Sequence, residues 1–102
     1  MNLRGKLLHQ DDEFGISFED KDGLAFCHCH VYKSTHGVLR RCREKIEELQ
    51  MSHQRDAYGV SKLSDKKHHK FLVLMGFEHF KNSWVVDDDD QDQLISIFIR
   101  RL

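Results

Sequence analysis

Proline is absent from this chain, and glycine contributes only six of its 102 residues. No fixed-φ residue interrupts the strands or helices, so glycine and clusters of Ser, Thr, Asn and Asp must mark the turns. Cysteine appears three times (Cys27, Cys29 and Cys42), an odd count that excludes a fully paired disulfide framework. Thiols left free fit a reducing, cytoplasmic setting. No apolar run approaches the ~20 residues that a bilayer-spanning helix requires. No charged-then-apolar leader opens the sequence, so no membrane partner is expected. An excess of one charge is missing too. Sixteen basic residues face seventeen acidic ones, for a net charge of -1. That balance supplies no long-range field to gather nucleic acid or a membrane surface.

What is present suffices for one core. Apolar residues make up 39% of the chain and charged residues 32%, which suits a single domain spanning 1–102. The charges are unevenly placed. Arg40, Arg41, Arg43 and Lys45 form one basic cluster, and Lys62, Lys66, Lys67 and Lys70 a second. Residues 87–90 are four consecutive aspartates. Each cluster reads as a solvated face, with ligand steering as the alternative.

The hydrophobic periods place the elements. Residues 3–9 read as a weak strand. In "EFGISFE" (residues 13–19), Phe14, Ile16 and Phe18 alternate onto one face, as in a half-buried strand. "DKDG" (20–23) is a tight turn, and residues 24–33 return as the antiparallel partner. Ser34 or Thr35 can then cap a helix running to about Met51. Its apolar stripe is Val38, Leu39, Cys42, Ile46 and Leu49. Residues 57–62 form a short strand, and strand–helix–strand implies a parallel pairing. Ser64 or Asp65 caps a second helix, which ends at Gly76 in a left-handed position. Residues 80–86 and 93–101 are two more strands joined by the acidic loop. The last, "LISIFIR", is apolar at nearly every position and is expected to be covered on both faces, and Trp84 reads as core or as the wall of an acceptor site. The fold class is α+β, a mixed but mostly antiparallel sheet in the order ββ-α-β-α-ββ with helices packed on it.

The segment "HVYKSTHGVLRRC" (30–42) carries the first functional signal. A strand bending sharply into a helix bares backbone N–H groups at the positive end of the helix dipole, a ready anion site. Gly37 lets an anion approach without a Cβ in the way. Arg40 and Arg41 add charge-assisted donors.

Two stretches resemble the GNAT superfamily of acyl-CoA-dependent N-acyltransferases. One is "CHVYKSTHGVLRRCREKIEEL", a strand, a glycine-containing turn and a basic-faced helix. The other is "SDKKHHKFLVLMGFEHF", a polar-capped helix ending in Met75-Gly76-Phe77. Element order matches over residues 12–101, without the family's usual first strand and two helices. The resemblance implies acetyl-CoA as co-substrate, with its pyrophosphate over Ser34, Thr35, His36, Gly37, Val38, Arg40 and Arg41. It gives His30, Val31 and Tyr32 a backbone role along the pantetheine arm. From the second stretch it adds Asp65, where many members carry asparagine, and Phe71. Ser34 and Leu39 differ from the family's glycine pattern, and Leu72 stands where a thiolate-protonating tyrosine is common.

Among side chains fit for chemistry, "CHCH" (27–30) invites a metal. On a strand, however, Cys27 and Cys29 point one way and His28 and His30 the other, so the four cannot converge on one ion. Recruitment of His68 or His69 would be needed, and the cysteines read instead as small buried hydrophobes; no metal is expected. A histidine titrates in the range useful for proton abstraction, which makes His28 or His30 the candidate base. His68 and His69 read as solvated. The leading function is therefore acetyl transfer from acetyl-CoA to an unidentified amine or protein acceptor, by direct attack with no covalent enzyme intermediate. The alternative is a non-catalytic interaction or inhibitor protein on the same fold. Either suits a homodimer, since exposed sheet edges tend to pair. Nucleic-acid binding is disfavoured by the charge balance.

Overall fold

The computed structural model describes residues 5–86 and 88–102. The elements run β1 (Lys6–Gln10), β2 (Phe14–Lys21), β3 (Leu24–Val31), α1 (His36–His53), β4 (Ala57–Lys62), α2 (Lys66–Leu74), β5 (Glu78–Val86) and β6 (Asp92–Arg100). The expected α+β order holds, with the weak first strand realised as β1. Leu3, at the start of that expected strand, and Asp87, the first of the acidic run, lie outside the described residues. The strands form one sheet in the order β1-β2-β3-β4-β6-β5. Every neighbouring pair is antiparallel except β3 and β4.

Local chemistry explains the turns. Asp22 (φ 55°) and Gly23 (φ 80°) both adopt positive φ, the twist that a two-residue hairpin between β2 and β3 needs. Thr35 caps α1, its Oγ1 accepting from the Val38 N–H at 3.3 Å, which decides between the two hydroxyl candidates. Asp65 rather than Ser64 caps α2, accepting from the His68 N–H at 3.1 Å. At the other end of α2, Gly76 (φ 93°) donates to the Val73 carbonyl and Phe77 to the Leu72 carbonyl. These two bonds close the glycine-terminated helix end. Helix α1 runs past Met51 to His53 and stops without glycine. Gln54 takes the left-handed conformation itself, and its side chain satisfies the Met51 carbonyl at 2.6 Å.

Both helices pack on the same sheet face. Phe14, Ile16 and Phe18 of β2 and Ala25 of β3 meet Val38, Cys42 and Ile46 of α1. Ala57 and Phe98 meet Leu72, Met75 and Phe77 there. Gly59 keeps that contact close, since a Cβ on it would come 2.8 Å from a Leu72 methyl.

Strand β6 is covered on both faces as expected. It lies between β4 and β5, with Ser96 and Phe98 buried toward the helices. Ile95 and Ile99 are buried by neighbouring side chains on the other face, where no helix packs among the described residues. One expectation changes. Trp84 is not core; it is 68% exposed, paired with Leu94 on a part of β5 that extends beyond the helices.

Candidate functional site

The site begins where the one parallel pairing fails. Ala25 lies opposite Ala57 and Phe26 opposite Tyr58, and the register goes no further. Beyond that point β3 continues through residues 27–31 and β4 through residues 59–62 without pairing to each other. The two strands therefore open a wedge toward their C-terminal ends.

One edge of this wedge is legible from hydrogen-bond alternation. The Tyr32 N–H donates to the Glu13 carbonyl at 2.8 Å, extending the β2–β3 ladder. Alternate residues of a strand turn their backbone groups to opposite sides. His28, His30 and Tyr32 therefore face β2, while Cys27, Cys29 and Val31 aim their N–H and C=O groups into the wedge. Of the backbone set proposed on resemblance, Val31 faces the opening and His30 and Tyr32 do not. Cys27 and Cys29 were missed as backbone contributors, although their parity along the strand carried the signal.

The α1 N-terminus sits at the mouth of the wedge, directly after β3. The Thr35 cap uses the Val38 N–H, and the Leu39 N–H donates to the Thr35 carbonyl. That leaves the N–H groups of His36 and Gly37 as the donors at the turn. The Val38 side chain is buried in the core and cannot touch a ligand. A Cβ at Gly37 would find only the Arg41 guanidinium at 3.6 Å, so the turn's outer side is open. Arg41 is drawn aside to Glu13, which half-neutralises it. Arg40 and Ser34 are exposed. Neither helix carries an acidic residue in its first turn. Basic residues gather there instead, at the ends where the dipole disfavours cations. An anion at the mouth would relieve that mismatch.

Asp65 and Phe71 are placed differently from an anion contact. Asp65 is committed to capping α2. Phe71 is half-buried against the core and stacks on His68, with ring centroids 6.3 Å apart. His68 and His69 are half-buried rather than solvated. Burial lowers the His68 pKa below its usual 6.5, against the opposing pull of Asp65. His69 reaches the Lys62 carbonyl at 3.0 Å and packs on Phe98.

The side chains of β3 divide as alternation requires. The Cys27 and Cys29 sulfurs lie 3.8 Å apart on the helix side, with Cys42 of α1 beside them. Thiol–thiol hydrogen bonding to Cys27, together with burial, pushes the Cys29 pKa well above its normal range; contact with Cys29 and burial do the same to Cys42. Protonated thiols in this setting are poor nucleophiles. Among the described residues no group of His, Cys, Asp and Glu side chains is arranged to hold a metal.

His28 and His30 point to the opposite face. The His28 Nε2 lies 3.0 Å from the Glu19 carboxylate. If that nitrogen donates, Nδ1 is left as the basic site. His30 packs its ring on Tyr32 at 4.7 Å, and the Tyr32 hydroxyl bonds to Gln10. Of the two candidate bases, only His28 has a carboxylate partner among the described residues.

No protein-family profile matches this chain, and no curated protein matches by sequence. A solved structure does match in shape: an acetyltransferase of the GNAT family from Streptococcus pneumoniae superposes with a TM-score of 0.61. The fold is GNAT-like. The match covers 87% of this chain and 58% of that protein, at 9% sequence identity, so the likeness is one of architecture. Within this GNAT-like fold no helix among the described residues is long and apolar enough to cross a membrane.

Proposed function

We propose that this protein binds an acyl-coenzyme A in the β3–β4 wedge and transfers its acetyl group to an amine. The observation that carries this reading is the abrupt end of parallel pairing after Phe26 and Tyr58, with the uncapped α1 N–H groups at the mouth. A pyrophosphate at His36 and Gly37 would satisfy those donors, with Arg40 adding charge. The extended pantetheine arm would take the place of a strand, bonding to the backbone of Cys27, Cys29 and Val31. An N–H on this edge would stabilise the oxyanion formed at the thioester carbonyl.

Chemistry then proceeds without a protein-bound intermediate. The neutral amine attacks the carbonyl carbon, a C–N bond forms, the C–S bond breaks, and the coenzyme leaves as thiolate. His28, with Glu19 stabilising its cation, takes the proton released by the new amide nitrogen. The thiolate takes a proton from water. The GNAT-like architecture supports the same reading but identifies no acceptor.

A second reading has its own support. Ser34, Leu39 and Leu72 depart from the GNAT pattern, and among the described residues no helix covers one face of the sheet. A non-catalytic protein that binds a partner through that face would need none of the missing groups. Release of coenzyme A thiol during incubation with acetyl-CoA and amines separates the two. The transfer reading expects amine-dependent release that falls about 100-fold in His28→Gln, the scale of a lost general base. Release independent of both amine and His28 favours the partner-binding reading.

A further inference from the structure

The chain's three cysteines meet at one place, and the transfer chemistry uses none of their thiols. The Cys27 and Cys29 sulfurs lie 3.8 Å apart on the helix side of β3, and Cys42 of α1 adjoins Cys29. Cys42 is buried, whereas Cys27 and Cys29 are each partly open to solvent. The sheet explains that opening. Strand β4 parts from β3 after Phe26, so it does not flank residues 27–31.

The contact between the two sulfurs divides their roles. Cys29 is held protonated by its hydrogen bond with Cys27 and by burial, so its S–H donates to the Cys27 sulfur. Cys27 is then the thiol that reacts first, and Cys29 the one that resolves. A hydroperoxide supplies the oxidant. The Cys27 sulfur gives up its proton and attacks one peroxide oxygen. The O–O bond breaks, water leaves, and Cys27 becomes a sulfenic acid. The Cys29 sulfur next attacks the Cys27 sulfur. An S–S bond forms, the S–O bond breaks, and the departing hydroxide leaves as water with the Cys29 proton. One hydrogen peroxide is reduced to two waters as two thiols are oxidised to one disulfide.

Closing this bond bends the strand. Residues two apart on an extended strand have Cα atoms about 6.7 Å apart, while a relaxed disulfide spans about 5.5–6 Å. The strain makes the bond easy to reduce again. The shortening falls on the stretch whose backbone groups turn to the wedge, where no strand holds them. We propose that Cys27 and Cys29 are a peroxide-sensitive dithiol whose reversible disulfide buckles β3 at the wedge. Oxidation then weakens acyl-coenzyme A binding. That consequence rests on the transfer reading above; the bond and the buckle do not.

Hydrogen peroxide, added in molar excess to the purified wild type, is the probe. The expected product is lighter by two hydrogens, with the loss in the tryptic peptide of residues 22–33 and Cys42 still open to alkylation. Reduced glutathione should restore the thiols. Dimedone should trap a sulfenic acid in Cys29→Ser and none in Cys27→Ser, while Cys42→Ser oxidises as the wild type does. A disulfide to Cys42, a bond between two chains, a sulfenic acid trapped in Cys27→Ser, or no reaction overturns the assignment. Amide hydrogen exchange reads the buckle without any ligand. The His28 and His30 amides, which face β2, should exchange at least about tenfold faster after oxidation, and unchanged exchange overturns the buckle. Calorimetric titration with acetyl-CoA compares the two forms last. Binding at least about tenfold weaker in the oxidised wild type, and unchanged in peroxide-treated Cys29→Ser, sustains the consequence; equal affinity overturns it. Failure of the reduced protein to bind acetyl-CoA removes the transfer reading and leaves the dithiol standing on mass and exchange.

Discussion

Gln50 and Arg100 hold each other reciprocally. The Gln50 Nε2 donates to the Arg100 carbonyl at 2.6 Å, and the Arg100 guanidinium donates back to the Gln50 Oε1 at 2.6 Å. The same guanidinium donates to the Met75 carbonyl at 2.9 Å, and Gln50 also donates to the Arg55 carbonyl at 3.2 Å. This network joins the C-terminal ends of both helices to the end of β6, on the side of the sheet away from the wedge. The firm end of the molecule is thus opposite the end that opens.

Replacing Gln50 with leucine keeps the volume and removes the three bonds that the Gln50 side chain makes, leaving the Arg100–Met75 bond. Gln50 is buried, so the Arg100 guanidinium and two carbonyls would lose partners where little water reaches. The expected cost is about 2–3 kcal/mol, the penalty for leaving buried polar groups unmatched. Urea denaturation should show the lower midpoint with an unchanged slope.

Two glycines should respond in opposite ways to alanine. Gly76 sits at φ 93°, and a Cβ there would come 2.7 Å from the Arg100 Nε. Gly76→Ala should lose about 1–2 kcal/mol through backbone strain and displacement of that guanidinium. Gly37 has ordinary φ and open space, so Gly37→Ala should leave stability unchanged or raise it by up to about 1 kcal/mol through helix propensity. Parallel urea titrations of the two variants check the contrast. A glycine that folding does not require is one that ligand approach can explain.

These contrasts bear on how much the sequence disclosed. The alternation of Phe14, Ile16 and Phe18 and the α1 stripe through Val38, Cys42 and Ile46 predicted the core, because burial follows simple periods. The pairs Ser34–Thr35 and Ser64–Asp65, with Gly76, marked the helix ends by chemistry that acts locally, and the structure selects Thr35 and Asp65 as the caps. The wedge was not readable from residues alone. Where parallel pairing stops depends on how β3 and β4 diverge, and Cys27 and Cys29 turn toward the wedge through backbone parity rather than side-chain type. Trp84 misled because a large apolar residue on a strand is usually buried, whereas the β5–β6 hairpin outruns the helices that would cover it. The Glu19 partner that distinguishes His28 from His30 lies on a neighbouring strand, visible only once the register is known.

The loop between β1 and β2 makes an acid-sensitive contribution. Asp11 accepts from the backbone N–H groups of Phe14 and Glu13 and contacts His9, which lowers its pKa from 3.8 to about 2. A carboxyl whose folded pKa is depressed stabilises the fold above its unfolded pKa and loses that contribution as pH falls. Wild-type stability should therefore drop between pH 4 and pH 2 more steeply than that of Asp11→Asn, which retains the acceptor oxygen but cannot titrate. Urea midpoints across that window give the comparison. His68 acts in the higher range: its lowered pKa makes the unfolded chain take up more protons, so its contribution is lost as pH falls below 6.5.

Calorimetric titration with acetyl-CoA, run on the wild type beside Gly37→Glu, tests the central claim most directly. The added carboxylate would stand at the two free N–H groups and repel a pyrophosphate without entering the core. The account predicts micromolar binding by the wild type and a loss of at least about 100-fold in the variant, with the urea midpoint little changed. No heat from the wild type, or equal affinity in both proteins, would contradict it.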